Sequence, residues 1–417
     1  MPKRVLIVPD KFKGTLSARE AAQAIARGWR ESRPSDALKL LPMSDGGDGF
    51  GEVLSQLLGA KRRSVNTVDA AHRPCKATWW FEPRSRTAVV ESANVIGLAM
   101  LRPGEFHPFE LDTFGLGAVL CAAHTAGAKQ VLIGIGGSAT NDGGFGLARA
   151  LGWEFRDERG HLIEQWTALR TLAKIHPPSS SARTAQSARS FSIPDSLKVQ
   201  NRPIRRDRAA RASNWPFGNV TVAVDVQNHL LGVRGATRVY GPQKGFRSEE
   251  FTRAESCLRR LARIAKRQSG CDFARLPGAG AAGGLGFGLA AFLGARLESG
   301  FDLFAKLARL SQRLREADLV ITGEGAMDRS TAMGKGVGQI ARQCRELGVP
   351  CLGLSGAVVR LREVTGLFHG VYALTDLTTA TKAMANPAWW LARLAAAKAS
   401  EFTLRLFPTV NRGAATS

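Results

Sequence analysis

A chain of 417 residues with 44% hydrophobic composition carries enough apolar material for two domains of ordinary size. Its 58 Lys+Arg against 35 Asp+Glu give a formal net charge of +23, which favours anionic partners, either nucleic acid or small anionic molecules. Its six cysteines form no Cys-x-x-Cys pair, which excludes a zinc ribbon or a disulfide framework as the organising device. With two Tyr and no aromatics interleaved with Arg, the chain lacks the usual stacking platform for single strands, which weighs against nucleic acid. No apolar run approaches a membrane span, and the run Val5–Val8 is too short for a signal peptide. A cytoplasmic setting with no membrane partner is expected.

In chain order, "RVLIV" predicts a buried strand, followed by the loop "PDKFKGTL". Ser17 then opens a helix, with Glu20 at capping-box spacing. "ALKLLPM" predicts a second strand, and "SDGGDGFGEVLSQLLG" a turn feeding a helix. Short strands follow around "ATWWF" and "TAVVESA", then a helix over roughly Gly115–Ala126. "VLIGIGGSATNDGG" is a strand running into a glycine-rich bend. That bend has two readings: a tight strand-to-helix turn capped by Asn141 or Asp142, or an anion cradle at a helix N-terminus. Later, "NVTVAVDV", "ADLVITGEG" and "VPCLGLSG" predict strands, and "PGAGAAGGLGFGLAAF" a glycine-rich loop opening a helix. The alternation predicts an α/β fold with ligands at the carboxyl edge of the sheet. The polar, basic stretch Pro177–Trp215 interrupts it and predicts a surface insertion, with a polyanion-binding arm as the alternative.

Five loops combine backbone permissiveness with hydroxyls, carboxylates or lysine: Pro9–Gly14, Ser44–Gly49, Gly134–Gly144, Pro277–Gly284 and Thr322–Gly336. Phosphoryl transfer needs that combination, because backbone N–H groups, lysine and a divalent metal must spread the charge of the moving group. Lys11, Lys13 and Lys335 are candidate phosphate or carboxylate partners. Asp45, Asp142, Asp225, Glu324 and Asp328 are candidate metal ligands or bases. A loose dinucleotide fingerprint, Gly134-x-Gly136-x-x-Ala139 with Asp157 downstream, keeps a nicotinamide oxidoreductase as a distant alternative. A Walker A loop is excluded because Gly336 stands where Ser or Thr should follow Lys335. His107, His124, His161, His176 and His229 show no metal-ligand spacing.

Taken in order, "PDKFKGTLSA", "PMSDGGDGF", "IGIGGSATNDGG", "VAVDVQNHLLGVRGA", "YGPQKG", "PGAGAAGGLGFGL" and "ADLVITGEGAMD…GKG" resemble the bacterial glycerate kinase family, glycerate 2-kinase type. The resemblance runs from Val5 to about Asp376. It implies ATP-dependent phosphorylation of D-glycerate with Mg2+ and two α/β domains with the active site in the cleft between them. One domain is flavodoxin-like and discontinuous (1–65 and 295–417); the other is the middle segment (66–294), with the basic insertion at about 177–215. The expected product is 2-phosphoglycerate, with the 3-phosphate as alternative. The alternative of another class is a polyanion-binding protein on an inactive kinase scaffold. Carried over by motif, Asp225, Asp45 and Lys11 are the catalytic candidates. Asp225 is the expected general base, since desolvation at the end of an apolar strand would raise its pKa, and Asp45 is its rival. Lys13, Gly136, Gly137, Ser138, Thr140, Asn141 and Lys335 are the substrate- or phosphate-binding candidates, and Asp142, Glu324 and Asp328 the metal candidates. The chain departs from the family pattern at Asp48, His229 and Ser330, where Glu, Pro and Gln are usual. The sequence leaves a homo-oligomer open.

Overall fold

A computed structural model describes residues 2–178, 219–334, 336–359 and 362–404. The described residues form two compact units: those within Met1–Asp45 and Phe301–Ser417 make the first, and those within Gly46–Gly300 the second. Beyond Pro177 and Pro178, the basic insertion lies outside the described residues, as does Lys335. The strands, in chain order, are β1 (Arg4–Pro9), β2 (Ala37–Leu40), β3 (Lys61–Val68), β4 (Pro74–Glu82), β5 (Thr87–Glu91), β6 (Gln130–Gly134) and β7 (Glu154–Asp157). They continue with β8 (Leu172–His176), β9 (Asn219–Val224), β10 (Arg296–Ser299), β11 (Leu319–Met327), β12 (Cys351–Val358) and β13 (Gly370–Ala373). Among the described residues no helix is long and apolar enough to cross a membrane.

The first unit carries a five-stranded parallel sheet in the order β13-β12-β11-β1-β2. Counted along this unit alone, that order is 2-1-3-4-5, the flavodoxin-like winding that the motifs imply. β1 and β11 are apolar runs covered on both faces, as central parallel strands must be. The predicted strand at "ALKLLPM" is realised as the edge strand β2, three of whose four residues are exposed. The helix Ala18–Ser32 begins at the predicted capping box: the Ser17 hydroxyl accepts from the Glu20 N–H at 3.2 Å and Glu20 Oε2 accepts from the Ser17 N–H at 2.8 Å. This helix buries Ile25 and Trp29 with Leu391 and Leu394 of the helix Pro387–Leu404. Gly28 lies so close to the Ala392 carbonyl that a Cβ would collide with it. Ser17→Ala is expected to cost about 1 kcal/mol of stability. The check is a lower urea midpoint at unchanged slope; an unmoved midpoint refutes it.

The second unit carries a six-stranded sheet in the order β10-β9-β6-β5-β4-β3, in which β10, β9, β6 and β5 are parallel and the β4–β3 edge is antiparallel. β7 and β8 pair separately. β3 has no counterpart in the sequence reading, because "KRRSVNTV" sits on an exposed edge and shows no apolar alternation. The core gathers Val90, Val119, Ile133, Phe145, Phe155, Val222, Leu258 and Phe287. The helix Phe50–Leu58 belongs here, with Phe50 against Gly134 and Gly51 against the Trp80 ring, so this unit begins at Gly46 rather than at residue 66. The helix Ala281–Leu293 opens through Gly283 and Gly284 at positive φ, which glycine permits, and through Ala282, one of four non-glycine residues at positive φ among the described residues.

Candidate functional site

In the first unit the winding reverses between β1 and β11, the place where a doubly wound sheet opens a crevice at its carboxyl ends. The β1–β11 register pairs Pro9 with Gly323, so Asp10, just past the end of β1, lies beside Glu324, which is still within β11. The Asp10 N–H donates to the Gly323 carbonyl at 2.8 Å, and Asp10 Oδ1 accepts from the Lys11 N–H at 2.7 Å. Desolvation, then the like charge of Asp45 and, more weakly, that of Glu324, push the Asp10 carboxyl up to about 7 against the pull of Lys11. The loop that follows is tied by the Phe12 N–H to the Leu16 carbonyl at 2.8 Å and buries the Phe12 ring, leaving Lys13 exposed and Lys11 half-buried. Glu324 Oε1 accepts from the Thr331 hydroxyl at 2.7 Å, and Asp328 caps the short turn after it, accepting from the Ser330 N–H at 2.7 Å. The first unit therefore gathers Lys11, Lys13, Asp45, Glu324 and Asp328, and adds Asp10, the acidic residue of "PDKFKG", to the candidates.

The second unit holds Gly136, Gly137, Ser138, Thr140, Asn141, Asp142 and Asp225. Asp142 is fully buried and accepts from the Thr113 N–H (3.0 Å), the Thr113 hydroxyl (2.7 Å), the Gly144 N–H (3.2 Å) and the Gly146 N–H (2.8 Å). Burial and the like charge of Asp112 push it up to about 6. Its carboxylate thus occupies the N-terminus of the helix Phe145–Ala150, the place where the anion-cradle reading would seat a phosphate. Glu91 does the same for the helix Phe50–Leu58, accepting from the Gly49 and Gly51 N–H groups at 2.8 and 2.9 Å. The Gly136 N–H is taken by the Gly46 carbonyl at 3.1 Å, and Gly137 (φ +73°) lies against the Asp48 carboxylate. The N-cap position is Gly144, and the acceptor that satisfies the turn and the first helical N–H groups is Asp142 rather than Asn141, with both of its oxygens accepting from protein donors.

Ser138 Oγ and Thr140 Oγ1 lie 2.9 Å apart, and Asn141 Nδ2 donates to Thr237 Oγ1 at 3.0 Å. The strand β9 ends at Val224, and Asp225 beyond it is exposed, so the burial expected to tune it as a base is absent. Tyr240 feels it: burial, then the Asp225 charge, pushes that phenol up to about 12, while its hydroxyl donates to Asn228 Oδ1 at 2.7 Å. The signal that could have found Asp10 was its place directly after the first buried strand, in the loop already marked by Lys11 and Lys13.

Two wound α/β units, one with lysines and carboxylates gathered at a sheet switch point, define the class: an α/β enzyme equipped for an anionic small-molecule ligand. The model of the glycerate kinase family matches residues 5–193 and 205–402. A glycerate kinase of Halalkalibacterium halodurans is 34% identical over 89% of this chain and 90% of its own length. The glycerate 2-kinase of Escherichia coli K12 is 32% identical over 90% of this chain and 91% of its own. A crystal structure assigned to glycerate kinase 2 of Salmonella typhimurium LT2 superposes with a TM-score of 0.76 at 31% identity, covering 97% of this chain and 99% of that one. The chain belongs to the glycerate kinase family, and it is a kinase.

Proposed function

We propose that this kinase transfers the γ-phosphoryl group of ATP to the 2-hydroxyl of D-glycerate, giving 2-phosphoglycerate and ADP. The observation that carries the chemistry is the Asp10 carboxylate at the β1–β11 switch point, desolvated, flanked by Asp45 and Glu324, and adjoining Lys11. The name of the E. coli relative supports the 2-position. Asp10 is the proton acceptor: it takes the hydroxyl proton while the new O–P bond forms and the bond to the departing ADP oxygen breaks. A carboxyl pushed up to about 7 by desolvation and the charge of Asp45 suits this task better than the exposed Asp225. Lys11 and Lys13 balance phosphate charge, and Ser138, Thr140 and Asn141 hold polar groups of a substrate. Asp142 keeps their loop in shape and is withdrawn from the metal set.

The first unit's donors fit Mg2+. The Asp45 and Glu324 charges act on Asp10 with a repulsion that a divalent cation relieves. Among the described residues no group of three or more His, Cys, Asp or Glu is arranged to hold a metal. Mg2+ needs no such group, because one or two carboxylates suffice alongside phosphate oxygens and water. Glu324 and Asp328 would hold it, and it would neutralise charge on the β- and γ-phosphates.

The test is an assay of purified protein with ATP, Mg2+ and D-glycerate coupled to enolase alone. Immediate phosphoenolpyruvate formation is expected, because enolase uses the 2-phosphate. Signal only after phosphoglycerate mutase is added assigns the 3-hydroxyl instead, and unconsumed ATP under both conditions refutes the substrate.

A further inference from the structure

Lys244 has no role in the chemistry above, yet only 6% of it is exposed. It ends the short turn Pro242–Lys244, which follows the helix Ala236–Tyr240. An ammonium held inside a protein needs a partner, and Lys244 Nζ donates to the Thr140 carbonyl at 2.6 Å. Burial pushes the amine down to about 7, against the opposing pull of Asp142. Thr237, from the start of the same segment and 1% exposed, accepts from Asn141 Nδ2. Gly283 lies against the same Thr140 carbonyl, so closely that a Cβ would collide with it. The Thr140 peptide is thus held by an ammonium and a backbone together. The other end of the Asn141 amide, Oδ1, is buried and has no partner among the described residues. One end of this side chain is fixed, and the other is a buried acceptor whose lost hydration nothing in the described protein replaces.

We infer that Lys244 and Thr237 are positioning residues, acting through the Thr140 carbonyl and Asn141 to set where the Ser138–Asn141 loop presents its hydroxyls and amide to a substrate. This rests on the reading of that loop as a substrate site. The ammonium fixes the backbone, Thr237 fixes the side chain, and neither takes part in phosphoryl transfer. Their loss weakens binding of whichever substrate the loop holds, in ground state and transition state alike, so KM rises and kcat stays.

The experiment compares wild type, Ser138→Ala, Lys244→Met, Thr237→Val and the double variant Ser138→Ala/Lys244→Met, reading both KM values, kcat and melting temperature. Ser138→Ala identifies the substrate held by the loop through the KM that moves. Lys244→Met and Thr237→Val are expected to raise that same KM about tenfold, with kcat within about threefold, because each removes a buried hydrogen bond. The double variant should fall short of the product of the single effects, since both act through one loop. Should Ser138→Ala move a KM while Lys244→Met and Thr237→Val lower only the melting temperature, the inference fails and the loop reading stands. An effect of Ser138→Ala on neither KM overturns both. If Lys244→Met does not fold, Thr237→Val decides by the same criteria.

Discussion

Asp10→Asn is expected to lower kcat about 10²–10⁴-fold, the usual loss for a general base, with KM for both substrates little changed. The substitution keeps the acceptor for the Lys11 N–H and removes a charge that Asp45 and Glu324 repel, so the fold has no reason to suffer. The pH profile gives a second readout. A base must be deprotonated to act, and the Asp10 carboxyl is pushed up to about 7, so kcat/KM should fall as pH drops below about 7. Loading with Mg2+ and ATP should move the corresponding limb of kcat to lower pH, because the cation favours the ionised carboxylate. The stability linkage has the opposite sense. A carboxyl raised in the folded state contributes stability fully below its unfolded pKa near 4 and loses it as pH rises through about 7. Wild type should therefore lose stability relative to Asp10→Asn over that window. Near-normal turnover in Asp10→Asn, together with a large loss in Asp225→Asn, would return the role to Asp225.

Asp142→Ala is expected to be the most destabilising single change in the second unit, costing about 3–5 kcal/mol. It strands the Thr113 N–H and hydroxyl and the Gly144 and Gly146 N–H groups in a fully buried place, uncaps the helix Phe145–Ala150, and leaves buried Lys244 without its opposing charge. Urea unfolding monitored by tryptophan fluorescence checks it. A metal ligand would behave differently: the midpoint would hold and the Mg2+ requirement of the reaction would rise. That second pattern would restore Asp142 to the metal set.

The motifs in "PDKFKG", "SDGGDG", "GIGGSATNDGG" and "TGEGAMD" were legible because each is local: a strand, then a turn whose glycines and carboxylates lie within a few residues. The capping box at Ser17 was legible for the same reason. The strands β3, β7 and β8 were not, since an exposed charged edge and a short isolated pair leave no apolar period to read. The site was only partly legible. Asp45, Asp142, Asp225, Glu324 and Asp328 look alike in sequence, five carboxylates beside turns, and nothing in their spacing ranks them.

By itself, then, the sequence determined the strand–helix alternation, the placing of polar turns after strands, and the family those turns resemble in their order. The tertiary structure decided which carboxylate does what. Pairing of β1 with β11 brings Asp10 beside Glu324, 314 residues away along the chain, much as it brings Val8 to Thr322. Thr113 folds over Asp142 and engages it as a cap, and Lys244 reaches across 104 residues to Thr140. The reason is physical. Periodicity and capping depend on neighbours within a turn or two of chain, whereas desolvation and Coulomb repulsion depend on distance through space and on the water excluded along the way.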